Sequence, residues 1–462
     1  MTTTRLSGPR ALGRRLGAGA ALALALAGCQ AANDRLLGVV DPDIINPTDV
    51  STADAATALG NGVLATFNSI TGGAESTWLF GGLLADEWST SSTFIQNDET
   101  DQRLIPEFNS SITGMVRNLY RVRTRADEAI AALRKYSPTS TALIGEMYLA
   151  RGFAELQLAS DFCNGIPIGN GNAVPPENGT PRSTAQVFAL AGASLDSAIA
   201  TATGTDARSV LINRAARIAR GRVGLALGDF GGAATLVAGI PSAFAYQHTY
   251  SLATGSNTLW GQGISARRYS VGDSVEGNSR NIPVANALPF ASARDPRLPV
   301  NIPTTGAING QDGQTYARTT TMWGQLTPVD VANGIDARMI EAEAALRAGN
   351  AAQWLAIHNA LRAAPPKLGE IQPAALAPLA DPGTEAARVT LHFREKAFWT
   401  FSRGQRLGDM RRLIRQYGRT EATVFPQGVH YKGGSYGRDV NLPMVQAERN
   451  NPNFNGCTDR NP

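Results

Sequence analysis

Little in this sequence supplies chemistry. Its 462 residues include three cysteines and four histidines. His248, His358, His392 and His430 stand far apart, and none falls in a metal spacing such as His-Glu-x-x-His. There is no Gly-x-Ser-x-Gly elbow, phosphate loop or paired-cysteine zinc motif, so no recognised catalytic, nucleotide or zinc centre is expected, and neither is a cofactor or a metal. Paired carboxylates for glycoside hydrolysis need only meet in space, and nothing in the sequence points to them. Charge is scarce as well, with Asp, Glu, Lys and Arg making up 17% of the chain. Four of the 42 cations precede Cys29, which leaves 38 against 38 acids, and that balance excludes a broad basic footprint for nucleic acid. After residue 28 no apolar run approaches the roughly 20 residues needed to cross a bilayer.

What is present begins at the N-terminus. Arg5, Arg10, Arg14 and Arg15 precede an apolar run from Leu16 to Ala27, in the order of a secretory signal. Leu26-Ala27-Gly28-Cys29 resembles the bacterial lipobox, which predicts a signal peptide over 1–28 and lipid on Cys29. The alternative is a plain signal whose cleavage falls beside a cysteine. Gln30, not Asp, follows Cys29, and that favours the outer membrane. Cys163 and Cys457 then remain as an even pair in an oxidising compartment. They are expected to form a disulfide, with two buried free thiols as the alternative.

Residues 29–50 read as a polar tether, with Asp41, Asp43 and Asp49 solvating it in a spacing unlike a calcium loop. A helix is expected from Ala55 to Ser69. Met115, Leu119, Val122, Ala126, Ile130 and Leu133 recur at steps of three and four, the period of an amphipathic helix that Pro138 closes. A second helix over 141–160 follows so closely that the two must lie antiparallel. Further pairs are expected over 184–203 with 213–227, and over 336–348 with 351–363, and Asp229 is placed to cap a short helix. Residues 241–330, rich in Gly, Ser, Asn, Thr and Pro, read as a long irregular excursion with short strands, and loops of that length are usually functional. A helical block over 386–417 and a coil tail over 419–462 complete the chain. Arg406 and Asp409, three apart, are expected to pair along this block. An anion patch of Arg403, Arg411, Arg412 and Arg415 is the alternative.

Four segments stand out: Phe153 to Ile168, which reads as a helix running into an Asn-Gly-Ile-Pro-Ile turn; Ala215 to Phe230, closing in Leu-Gly-Asp-Phe; Arg394 to Arg412, with its Gly-Gln-Arg-Leu-Gly-Asp-Met-Arg-Arg; and Leu442-Pro443-Met444-Val445 with Glu448 and Asn451-Pro452-Asn453. Together they resemble the SusD/RagB family of outer-membrane nutrient-binding lipoproteins, the first being similar to that family's helix ending in a Tyr-Gly-x-Val-Pro-Leu turn. Asp295-Pro296-Arg297-Leu298 looks like a recurrent loop of the same family. The sequence departs at Cys163 and Asn164, and at Arg403, where the family usually carries Glu. The resemblance implies a mainly α, SusD-like domain over 51–462, with tetratricopeptide-like hairpins at about 115–240 and 331–418 supporting the ligand-facing excursion at about 241–330. It also implies a surface lipoprotein, not an enzyme, that captures oligosaccharides or peptides for a TonB-dependent transporter. A periplasm-facing helical-repeat scaffold that binds proteins is the alternative function.

If sugars are the cargo, aromatic rings must meet their apolar faces while amides and carboxylates bond hydroxyls. Trp78, Trp88, Trp260, Tyr269, Tyr316 and Trp323 lie outside strong helical periodicity, and Asp86 stands between the first two. Each ring is open to a second reading, packing under a loop.

Overall fold

The computed structural model describes residues 50–72, 76–303 and 307–462. The expected signal peptide, Cys29 and all but the last residue of the expected tether lie outside the described residues, as do Asp41, Asp43 and Asp49.

Helices α1 (Ala53–Gly72), α4 (Ser110–Tyr136), α5 (Thr141–Asp161), α6 (Thr184–Thr201), α7 (Ala207–Leu227) and α8 (Phe230–Val237) pack as successive antiparallel neighbours. The array continues through α9 (Gly334–Arg347) to α10 (Ala351–Ala363). The stripe read from Met115 to Leu133 is buried, widened by Val116 and extended back by Ile112. Small residues set the spacing: a Cβ added at Gly152 would come within 2.7 Å of Leu195, so α5 and α6 touch only because that position is glycine. Capping fixes the ends. Ser183 and Gln186 form a capping box on α6, and the Asp229 carboxylate accepts from Gly232 N (2.9 Å) on α8. Helix α7 starts six residues before the expected Asn213, because Asp206 accepts from the amides of Arg208 and Ser209 and so seeds a turn that has no apolar period.

Two short helices were not visible to periodicity: α2 (Thr77–Leu84), in which every residue is buried, and α3 (Ile95–Asp101). Strand β1 (Trp88–Thr90) pairs antiparallel with β5 (Tyr269–Val271). Strand β2 (Ile166–Asn170) pairs with β3 (Glu177–Arg182), and β4 (Ala245–His248) with β6 (Val329–Asn333). The excursion at 241–330 thus holds the short strands and irregular turns expected of it.

The C-terminal block is two helices, α11 (Glu385–Trp399) and α12 (Arg406–Tyr417). The chain breaks between them through Ser402 (φ 55°) and Gly404 (φ 62°). Trp78 supplies the reason: its indole lies 2.2 Å from where a Cβ at 404 would stand, so the chain must turn there on a glycine. The expected Arg406–Asp409 pair is corrected. Arg406 donates to Ala85 O (2.7 Å), and Asp409 pairs with Lys396 (2.7 Å) and Arg412 (3.2 Å). The alternative of an anion patch also fails. Arg403 is bound to Asp336, Arg412 to Glu343, and Arg411 to the carbonyls of Ala159 and Ser160, so these guanidiniums are used internally. His358 and His392 are both buried and face each other, Nε2 to Nδ1, at 3.0 Å. Arg297 of the Asp-Pro-Arg-Leu loop is fully buried between Asp295 and Glu395, over the rings of Phe398 and Trp399.

Cys163 and Cys457 form a disulfide, with Cα atoms 5.9 Å apart. The tail around it is anchored by bridges from Phe162 to Leu442 and from Asn164 to Asp459. Among the described residues no helix is long and apolar enough to cross a membrane.

Candidate functional site

Three chain segments distant in sequence are brought together by the β1–β5 pair. Beyond Thr90 the chain continues as Ser91–Ile95, and before Tyr269 it arrives through Gln262–Arg268. Ser91 N donates to Arg268 O (2.9 Å), and its hydroxyl donates to Arg267 O (2.7 Å). The third segment joins through Gln311 N to Arg267 O (3.2 Å) and Asp312 N to Ser91 O (3.0 Å). Lys432 pins the edge, bonding Ser92 O (3.0 Å), Asp98 (2.9 Å) and Asp312 (3.1 Å).

On this platform Phe94 is 46% exposed, large for an aromatic ring, and the Arg268 guanidinium lies over it at 4.7 Å from the centroid. Gln262 accepts from Arg268 Nη1 (3.3 Å) and so orients it. Ser92 donates to Gln311 (3.2 Å), and Thr93 and Ile95 are exposed beside the ring. A ring, a planar cation, amides and hydroxyls therefore share one open surface.

The backbone beneath is unusual in two ways. Gly261–Ser265 forms a π-turn, an irregularity found often at functional sites. Arg267, Asn278, Ser279 and Asn281 all have φ between 52° and 69°, the left-handed region in which non-glycine residues are strained. Asn278 explains part of this, since its side chain accepts from Tyr316 N (2.7 Å) and holds the third segment in place.

Under the platform lies a buried acidic cluster. Asp86, itself at φ 62°, has its pKa pushed well up by burial and by the neighbouring charge of Glu276. Burial also raises Glu276, which pairs with Arg318 and accepts from Ser89 (2.7 Å). Asp101 accepts from Thr90 N (2.8 Å) and meets His430 at 3.3 Å. These groups hold the platform from below and are closed to solvent. Among the described residues, no group of three or more His, Cys, Asp or Glu side chains could hold a metal.

The expected ligand rings divide sharply. Trp260 and Tyr316 are half-buried, Trp260 at the head of the π-turn with its amide capped by Asn257. Trp78, Trp88, Tyr269 and Trp323 are buried, and as placed they cannot meet a ligand. Trp88 bonds Ser402 through its indole N–H (2.9 Å) and packs against Phe401 and under Gly263, and Trp323 stacks on Phe401. Asp86 is likewise in the interior and cannot reach an external hydroxyl. The reason is general: large rings repay burial more than other side chains, and Trp78, within the all-buried α2, and Trp88, just after it, lie in the core. Phe94, Arg268 and Gln311 were missed. One available signal was an aromatic placed directly after the Ser/Thr run 89–93.

No family model matches the sequence, and no curated protein matches it. Solved structures do. A SusD-like carbohydrate binding protein from Bacteroides fragilis superposes with a TM-score of 0.60 at 14% identity, over 87% of this chain and 99% of that one. A SusD superfamily protein from Bacteroides vulgatus gives 0.59 at 16%, over 88% of this chain and 100% of its own. One from Bacteroides thetaiotaomicron gives 0.59 at 12%, over 89% and 99%. The helical hairpins, the strand-poor excursion and the superpositions over nearly nine-tenths of the chain together establish that this protein has the SusD-like fold.

Proposed function

We propose that this protein is a non-catalytic carbohydrate-capture lipoprotein, held by lipid on Cys29 at the outer membrane, that hands glycan oligomers to a TonB-dependent transporter. The observation that carries the ligand class is Phe94 with Arg268 above it, in a setting of amides and hydroxyls. An exposed ring offers an apolar face to the C–H side of a sugar, and the neighbouring donors and acceptors meet its hydroxyls. Trp260 and Tyr316 extend the ring set. Superposable proteins described as carbohydrate binding support the same class. The anchor and the transporter rest on the N-terminal segment and on the family resemblance of the sequence.

Calorimetric titration of neutral glycans and of peptides tests the ligand. Saturable glycan binding that falls with Phe94→Ala and Arg268→Ala supports the reading, and binding of peptides alone overturns it. Protease shaving of intact cells and a pull-down test the remainder. A shaving-resistant chain that recovers no TonB-dependent transporter would favour a periplasmic scaffold instead.

A further inference from the structure

A cleft of about 720 Å³ opens elsewhere, where the end of α1 and the start of α7 meet β4. Its size falls within the usual range of small-molecule sites, roughly 300–1,000 Å³. No residue of the Phe94 platform lines it. Its floor is β4 and the residues after it. Tyr246 and His248 stand two apart on β4 and so share one face of it, and Tyr250, two residues further on and beyond the strand, also lines the cleft.

Two of these three side chains end in a polar atom that is buried and unpaired. Tyr246 donates its hydroxyl to Glu146 (2.9 Å), which also pairs with Arg208 (2.6 Å). His248 Nε2 and Tyr250 Oη, in contrast, have no hydrogen-bond partner among the described residues. A buried polar atom left unpaired costs about 1–3 kcal/mol, so such atoms are ordinarily satisfied by something that enters. Burial pushes the His248 pKa down to about 3, so the ring is neutral at physiological pH. Around the opening stand Asn68, Thr254, Ser256 and Thr258, all neutral donors and acceptors.

The chemistry selects one ligand type. Among the described residues the only charges lining the cleft, Glu146 and Arg208, neutralise each other, so a charged ligand finds no counter-charge there to replace its hydration. A neutral imidazole nitrogen and a phenol can be served together by hydroxyls, which both donate and accept. A carboxylate only accepts, and an ammonium only donates. Leu64 and Leu211 supply apolar wall for C–H faces.

We propose that this cleft is a second carbohydrate subsite, taking a neutral oligosaccharide segment whose hydroxyls bond His248 Nε2 and Tyr250 Oη. It shares a ligand class with the Phe94 platform but none of its residues.

The test uses the full-length protein in detergent, with neutral α-glucan, β-glucan, xylan and mannan oligosaccharides as probes, read by calorimetry and by amide hydrogen exchange. A Phe94→Ala/Arg268→Ala variant removes the platform. That variant is expected to keep saturable binding of at least one probe, with exchange slowed over residues 246–258. Adding Tyr250→Phe, which deletes only the hydroxyl, should weaken that binding about five- to tenfold, and Ala65→Trp at the exposed rim should abolish it. Tyr250→Phe in the otherwise native chain should leave the platform's affinity intact, which also shows that the variant folds. The proposal is overturned if the platform variant binds none of the probes, if Tyr250→Phe and Ala65→Trp bind as their parent does, or if protection falls outside 246–258. Loss of all binding on removing the platform overturns the cleft alone. Binding indifferent to Phe94 and Arg268 but lost with Tyr250→Phe overturns the platform reading alone.

Discussion

The guanidinium of Arg403 and the carboxylate of Asp336 meet side by side, Nη1 to Oδ1 at 2.9 Å and Nη2 to Oδ2 at 2.7 Å, with both residues buried. The pair joins the break between α11 and α12 to the first turn of α9, where Asp336 also closes a capping box with Asn333. The family resemblance put a Glu at position 403. An Arg there requires a different partner, and Asp336 is that partner.

Removing one member of a buried pair leaves the other charge uncompensated, so Arg403→Ala should cost about 3–5 kcal/mol of stability in chemical denaturation. Burial, the largest single influence, would raise the Asp336 pKa, but the Arg403 charge together with hydrogen bonds from Arg403, the Asn333 amide and Gln405 outweighs it, and the net shift is downward. A carboxylate with a depressed folded pKa contributes stability above its unfolded value, about 3.9, and loses it as pH falls through the folded value. Asp336→Asn should therefore flatten the acid limb of the stability profile below about pH 4. An unchanged acid limb would show that other carboxylates control it.

Two buried carboxyls give the opposite slope. Burial raises Glu87 to about 8 and Asp161 to about 7. From about pH 4 upward the unfolded chain releases these protons while the folded chain keeps them, so stability falls with rising pH until each folded pKa is passed. Glu87→Gln should reduce that decline between about pH 4 and 8 and raise stability at the alkaline end. A decline equally steep in the variant would remove Glu87 from the account.

The disulfide closes a loop 294 residues long. Reduction, or Cys163→Ser with Cys457→Ser, should lower stability by about 2–4 kcal/mol, measured by denaturation with and without reductant. A non-reducing peptide map should recover the two cysteines linked.

Phe94→Ala should weaken glycan binding about tenfold while leaving the unfolding midpoint nearly unchanged, because the ring is half out of the protein. Trp78→Ala should do the reverse through the core, destabilising by about 3–5 kcal/mol because the indole is fully buried and packed on Gly404. Equal effects on binding and midpoint in both variants would erase the distinction between ring as ligand contact and ring as core.

Sequence made α4 legible because it buries one face, and a one-sided face leaves a period of three and four. Helix α2 left none, since all eight of its residues are buried. The β2–β3 pair was equally silent, because Glu177–Arg182 is polar and carries Pro181. The platform was harder still. Its defining contact spans Phe94 and Arg268, far apart in the chain and brought together only through the β1–β5 register. Reading aromatic content alone led to Trp78 and Trp88, which support the platform from within.

The covalent link between Cys163 and Cys457 also makes most of the chain a ring in the topological sense, and the whole excursion over 241–330 lies inside it. A protease that nicks an exposed turn there, such as the one bearing Leu252, would open the polypeptide without releasing either piece. Fragments should therefore separate on a gel only after reduction, and a chain clipped once in that excursion would stay a single covalently joined molecule.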